Sequence, residues 1–209
     1  MIPTIILSSM NKMLKLSEEC AQLAEEYRGK EFTLKELFHR LGPRGGAFLS
    51  LLLSIPFILW IAFPGLSLIL GFFIAVNGVL ILFNKGAWIP PFWRKKQFSG
   101  EKLSHLLLGT QKWLQKIERF IRPRLSFLHD HVVFRLISGL ILAITGLLLA
   151  LPLPPGTNLT PALGIALIAL GLLEDDGLFT IAGYFLFLVN LALFIALPLF
   201  GIRFLLRSL

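Results

Sequence analysis

The sequence predicts an all-α integral membrane protein, and two observations carry this prediction. Hydrophobic residues make up 56% of the 209 residues, a larger share than soluble domains of this size contain. They are concentrated in three blocks without any Asp, Glu, Lys or Arg, namely Gly45–Asn84, Leu136–Leu173 and Gly177–Ile202. Because backbone groups in lipid must be hydrogen-bonded within the protein, such blocks are expected to form helices.

The first block is split near its middle by Pro64-Gly65. Its flanks, Gly46–Phe63 and Leu66–Phe83, each hold 18 residues, which is about 27 Å of helix against a hydrocarbon core of about 30 Å. This pattern predicts a helical hairpin. The tip of the hairpin either crosses to the far side or stays inside the membrane as a re-entrant turn.

A similar pattern returns later in the chain and predicts an internal repeat. In both places a Pro-Gly pair is followed by two glycines spaced seven residues apart. The matching positions are Pro64, Gly65, Gly71 and Gly78 in the first copy, and Pro155, Gly156, Gly164 and Gly171 in the second. Broken apolar segments at corresponding places in two halves point to transporter sites. Chance similarity is the alternative, since Gly and Pro are common in membrane helices.

Five segments follow from these patterns. Residues 1–44 are expected to form cytoplasmic or interfacial amphipathic helices, and residues 85–131 a basic cytoplasmic linker with a further such helix. The membrane segments are a first broken hairpin at 45–84, a second at 132–176, and a last helix or hairpin at 177–209.

Start and stop signals predict three amphipathic helices outside the uncharged blocks. The first covers Ser17–Arg28 and ends at Gly29. The second begins after Thr33, which forms a capping box with Glu36. The third covers Ser99–Ile121 and has a strongly basic polar face, as is typical of helices that lie on an anionic membrane surface.

The positive charge of the chain is concentrated in one linker. Lys85–Arg135 holds eleven basic and three acidic residues, so its net charge of +8 equals that of the whole chain. The positive-inside rule places this linker in the cytoplasm, together with Arg44 and the acidic cluster at 174–176. Both Pro-Gly hairpins then enter the membrane from the cytoplasmic side. This explanation of the basic charge argues against a nucleic-acid partner.

A site for an anionic substrate is predicted where the two broken hairpins meet, because helix N-termini favour negative charge. The candidate substrate-binding residues are Arg44, Pro64, Gly65, Ser67, Asn77, Pro155, Gly156, Thr157 and Asn158, and the candidates for proton or ion coupling are Glu174 and Asp176. Simpler alternatives exist for each part. Arg44 could anchor the chain at the headgroups, 151–161 could be an ordinary loop, and 174–176 could be a water-exposed turn.

Other chemistry has little support in the sequence. The pair His129 and His131 is spaced two residues apart with no third ligand nearby, so no metal site is expected. The single cysteine, Cys20, excludes an intrachain disulfide. No phosphate-binding loop, nucleophile elbow or metalloprotease motif occurs, so we predict neither an enzyme nor a cofactor.

Several short segments resemble, in order and spacing, the ExoD family of bacterial membrane proteins named for exopolysaccharide synthesis. They are Leu41–Gly45, Pro56–Ser67, Trp88–Pro90, the proline-rich link at 152–156, and Leu172–Gly177. The resemblance covers about Thr33 to the C-terminus. It implies an inner-membrane location and a link to exopolysaccharide production, but it supplies no catalytic residues. The chain departs from the family pattern at Pro43 and Asp175.

Two functional hypotheses follow. The first is a small transporter-like protein that handles an anionic or lipid-phosphate substrate, with proton coupling as an option. The alternative is a non-transporting scaffold or regulator of a polysaccharide synthesis or export complex. The expected partners are the lipid bilayer, a second copy in a homodimer, and polysaccharide-synthesis proteins.

Overall fold

The computed structural model describes residues 16–60, 65–89, 97–101, 104, 108, 125–129, 131–151 and 157–208, with side chains in the last helix placed as far as residue 196. Helices dominate this part of the chain. We number them α1 (Leu16–Tyr27), α2 (Leu34–Leu41), α3 (Gly45–Ile58), α4 (Leu66–Leu82), α5 (Val132–Ala150), α6 (Leu159–Leu173) and α7 (Gly177–Ser208). Short 3₁₀ turns at Gly42–Arg44 and Ser126–Leu128 precede α3 and α5.

The two N-terminal helices form as their sequence signals predict. Helix α1 ends before Gly29, whose φ of 72° suits a residue without a Cβ. The capping box at the start of α2 is confirmed. The Glu36 amide donates to the Thr33 hydroxyl (3.3 Å), and the Thr33 amide donates to the Glu36 carboxylate (3.0 Å).

Replacing Thr33 by alanine is expected to destabilise α2 by about 1 kcal/mol, because the Glu36 amide loses the hydroxyl that accepts its hydrogen bond. Hydrogen exchange of the α2 amides should accelerate in Thr33→Ala and stay close to that of the native protein in Thr33→Ser, which keeps the hydroxyl. Equal acceleration in both variants would show that the cap is not what holds the helix start.

A short antiparallel strand pair was not predicted from the sequence. Strand β1 (Glu31–Thr33) pairs with β2 (Gln97–Ser99), with Phe32 opposite Phe98. A strand of three residues is too short to show a recognisable alternation of apolar and polar residues. The two strands also lie far apart in the chain. The predicted helix over Ser99–Ile121 therefore begins after the strand, and most of it lies outside the described residues.

The arm of the first hairpin is shorter than predicted. Helix α3 ends at Ile58 rather than Phe63, because Trp60 adopts a left-handed backbone with φ of 61°. At the other hairpin, α6 begins at Leu159, two residues before the predicted end of the irregular stretch at Pro161. A proline in the first helical turn gives up an N–H that would have no partner within the helix. Helices α3 and α6 are thus about 21 and 22 Å long.

Among the described residues, two helices are long and apolar enough to cross a membrane. They are Val132–Ala150 and the Gly177–Ala196 part of α7, with 39% and 22% of the respective apolar windows buried inside the protein. Most of the residues in these two windows are therefore not buried inside the protein. Helix α7 continues without interruption through Asn190 and Pro198.

Glycines bring α4 and α5 into direct backbone contact. The two helices are antiparallel, with Gly71 beside Gly146 and Gly78 beside Gly139. A Cβ added to Gly71 would lie only 2.6 Å from the Gly146 carbonyl oxygen. At these pairs the small residues of both helices allow close helix packing.

Helix α6 lies at the centre of the bundle and contacts α3, α5 and α7. Its Ala162, Ile165, Ile168 and Ala169 are fully buried. Gly164 and Gly171, matched above to Gly71 and Gly78, face α7 rather than a helix of the other hairpin. The internal repeat and the re-entrant turns remain predictions, since Pro64, Pro155 and Gly156 lie outside the described residues.

Candidate functional site

A cavity of about 230 Å³ opens where several helix ends converge. The turn before α3, the end of α4, the start of α5 and the turn between α6 and α7 each contribute to its wall. The polar side chains that line it are Arg44, Asn84, His129, Arg135 and Asp175. Among the described residues, two guanidinium groups and one carboxylate give this lining a formal charge of +1 with His129 neutral, which favours an anion as ligand.

Arg44 forms an ion pair with Asp175 across the cavity wall, with 3.2 Å between the guanidinium Nη2 and the carboxylate Oδ2. The side chains are 22% and 29% exposed, so solvent screens the pair only partly. The pair confirms that Arg44 and the acidic cluster lie at the same end of the bundle. The sequence had suggested an interfacial anchor or an anion contact for Arg44, but not this partner.

The guanidinium of Arg135 lies on the first turns of α5 and lines the same cavity. Its Nε is buried, and it has no hydrogen-bond partner among the described residues. Burying a charged donor without an acceptor is costly, so this position favours an acceptor for the Arg135 guanidinium.

His129 is held in place beside Arg135. Its ring meets Phe134 edge-on, with 4.8 Å between the ring centroids, and its Nε2 lies 3.5 Å from the Thr180 hydroxyl. Phe134 in turn contacts Tyr184, whose hydroxyl lies 2.6 Å from the Ser138 hydroxyl. These contacts join α7 to the start of α5 beside the cavity.

The two residues predicted to couple protons lie beside the cavity. Asp176 is buried, and its Oδ1 accepts hydrogen bonds from the amides of Leu178 (3.0 Å) and Phe179 (3.4 Å), so it caps the start of α7. Glu174 is half-buried at the end of α6. Their role in coupling remains a prediction.

The residues after the Pro-Gly pairs lie at the opposite end of the bundle from Arg44. Gly65 is exposed with φ of 80° and precedes α4, with Ser67 half-buried in its first turn. Thr157 and Asn158 are half-buried just before α6. Since α3 alone is about 21 Å long, the structure does not bring these residues together with Arg44.

The side chain of Asn77, another predicted binding residue, is occupied within the protein. It is fully buried in α4, where its Nδ2 donates to the Phe73 carbonyl (2.8 Å). Its Oδ1 accepts the Trp88 amide (3.1 Å), which ties the following loop back onto the helix. Asn77 therefore holds the chain segment that leaves α4.

Sequence reasoning missed Arg135, although a signal was present. Arg44 directly precedes the first uncharged block and Arg135 directly precedes the second. The two arginines are 91 residues apart, the same offset that separates Pro64 from Pro155. Comparing the residues that border the two blocks would have paired them.

Comparisons with known proteins identify the family of this chain. The family described as "Exopolysaccharide synthesis, ExoD" matches residues 16–196. Protein ExoD of Rhizobium meliloti is 33% identical over 183 residues, which cover 87% of this chain and 76% of that protein. An uncharacterized protein of Synechocystis is 27% identical over 173 residues, covering 82% of this chain and 81% of the relative. No solved structure matches the chain.

Proposed function

Because the chain belongs to the ExoD family, which is linked to exopolysaccharide synthesis, we propose that it is a multi-pass protein of the bacterial inner membrane that handles an anionic or lipid-phosphate substrate. Two helices long and apolar enough to cross a membrane, together with the family, indicate membrane association. The multi-pass arrangement rests on the three uncharged blocks of the sequence.

The observation that carries the substrate class is the cavity that Arg44 and Arg135 share. The basic linker Lys85–Arg135 joins α4 to α5 at this same end of the bundle. By the positive-inside rule the cavity opens toward the cytoplasm. Activated precursors and lipid-linked intermediates of a polysaccharide on that side carry negatively charged phosphate groups. Guanidinium groups recognise phosphate by paired, charge-assisted hydrogen bonds.

The size of the cavity limits what it encloses. Pockets that surround drug-sized molecules measure about 300–1,000 Å³. At about 230 Å³ this cavity suits one charged headgroup, while a sugar chain or lipid tail would remain outside. The apolar outer surfaces of α5 and α7, with exposed Leu140, Leu147 and Phe185, would be in contact with acyl chains.

The test is complementation of a strain that lacks its own ExoD-family gene. Arg135→Gln is expected to reduce exopolysaccharide output at least about tenfold, since losing a charge-assisted contact costs about 1.5–3 kcal/mol. Arg28→Gln is the matched control, because Arg28 is exposed and does not line the cavity. Protein levels in the membrane must be equal in all strains.

The same experiment separates transport from the alternative of a scaffold or regulator. If Arg135→Gln is made at native levels and supports full output, the cavity does not handle the substrate. A scaffold role would then be favoured, with the contact surface sought in the basic segment at residues 99–121.

A further inference from the structure

The cavity is built from two pairs of residues at one constant offset. Asn84 and Asp175 are 91 residues apart, as are Arg44 and Arg135, and all four line the cavity. Each member of the first pair stands two residues after a helix end and has a left-handed backbone, with φ of 54° at Asn84 and 53° at Asp175.

The local hydrogen bonds of these two turns also match. The amide of Lys85 donates to the Leu80 carbonyl and the amide of Asp176 donates to the Gly171 carbonyl, both at 2.9 Å. Each bond spans five residues, which is the pattern that closes a helix around a left-handed residue. Asn84 and Asp175 therefore occupy equivalent positions at the ends of α4 and α6.

The two halves differ in charge at these equivalent positions. Arg44, from the first half, meets the carboxylate of Asp175, from the second half. Arg135, from the second half, shares the cavity with Asn84, from the first half, whose neutral amide cannot balance its charge. The buried Nε of Arg135 has no hydrogen-bond partner among the described residues.

We propose that Arg135 and Asn84 form a binding site for one phosphate group, which balances the charge of Arg135 as the Asp175 carboxylate balances that of Arg44. This inference rests on the proposed function and deepens it by naming the ligand's chemistry and the residues that bind it. The guanidinium of Arg135 supplies charge-assisted donors, and the amide of Asn84 supplies neutral ones. Asp175 keeps Arg44 engaged and limits the cavity to one anion.

Two variants change the cavity's charge in opposite directions while leaving both arginines in place. Asn84→Asp lowers the formal charge of the lining from +1 to 0, and Asp175→Asn raises it to +2. Both residue types tolerate the left-handed backbone, so neither variant strains its turn. Binding of phosphate should therefore be strongest in Asp175→Asn, intermediate in the native protein and weakest in Asn84→Asp.

The experiment is calorimetric titration of the purified full-length protein in a neutral detergent. The probes are inorganic phosphate, dodecyl phosphate and, as a neutral control, dodecanol. Asn84→Asp should weaken phosphate binding at least about tenfold, since its own carboxylate would pair with Arg135. If the three proteins rank in the same order for dodecyl phosphate, and each binds it more tightly than inorganic phosphate, the phosphate group belongs to a lipid headgroup. Equal affinities for the two would identify a free phosphate.

Three outcomes overturn the inference. They are equal affinity in all three proteins, tighter binding in Asn84→Asp, and no phosphate binding to a native protein that is folded. The proposed function is judged separately by complementation with Arg135→Gln. A protein that needs Arg135 for exopolysaccharide output but binds no phosphate would keep that function and lose this ligand.

Discussion

Replacing Gly78 by alanine is expected to lower the free energy of unfolding by about 3 kcal/mol, at the upper end of the usual cost of over-packing. The added Cβ would lie 2.8 Å from both the Ala143 Cα and the Gly139 carbonyl oxygen, and closer still to the Ala143 amide. These atoms belong to the α5 backbone, which cannot move aside as a flexible side chain could. The two helices must separate, and their other contacts loosen with them.

The measurement is thermal unfolding in detergent, where about 3 kcal/mol corresponds to a fall of roughly 6–12 °C in Tm for a chain of this length. Gly164→Ala is the matched control. A Cβ at Gly164 would meet the Leu186 Cβ at 3.6 Å and the Gly183 carbonyl oxygen at 3.7 Å, which are ordinary contacts. There the higher helix propensity of alanine should leave stability unchanged or raise it by up to about 1 kcal/mol. Equal effects of the two changes would contradict the close crossing of α4 and α5.

Replacing Asn77 by leucine is expected to destabilise the protein by about 2 kcal/mol. Leucine is close to asparagine in shape, but it removes the acceptor for the Trp88 amide and leaves that donor without its partner. Trp88 packs against Phe73 with 5.6 Å between the ring centroids, and Ile89 is buried just beyond it. Losing the hydrogen bond should increase the motion of segment 85–89. The neighbouring residue Asn84, which lines the cavity, should then be held less firmly.

Asn190→Leu provides the comparison for this change. Asn190 is also buried in a helix, and its Nδ2 donates to the Leu186 carbonyl four residues back (2.8 Å), as that of Asn77 does to Phe73. Loss of a local bond alone should cost about 1 kcal/mol or less. Hydrogen exchange at the Trp88 amide should accelerate only in Asn77→Leu. If the two leucine variants unfold alike, the tie between α4 and its following loop contributes nothing.

The sequence identified the helices well where strong local signals existed. The capping box at Thr33, the glycine stop at Gly29 and the charge-free block behind α5 each depend on neighbouring residues alone, and the structure reproduces them. It was less accurate at the ends of α3 and α6. At the end of α3 the boundary depends on whether Trp60 adopts a left-handed backbone, which local propensity does not favour.

The candidate site was only partly predictable for a related reason. Arg44 stood out because it borders an uncharged block, and the acidic cluster stood out by its charge. Arg44 pairs with Asp175, while Asp176 caps α7. This division depends on the backbone angles of the turn between α6 and α7. Sequence spacing gives the order of these three acids but not the directions of their side chains.

By itself, the sequence determined the helical character of the protein, the positions of most helices, its family and the end of the bundle at which the charges gather. These properties follow from hydrophobicity, backbone hydrogen bonding and charge counting, which act locally or add along the chain. Only the tertiary structure decided that Arg135 and Asn84 share a cavity with Arg44 and Asp175. The reason is physical: glycine contacts fix how far α4 slides along α5, and this register determines which residues of two distant helix ends meet.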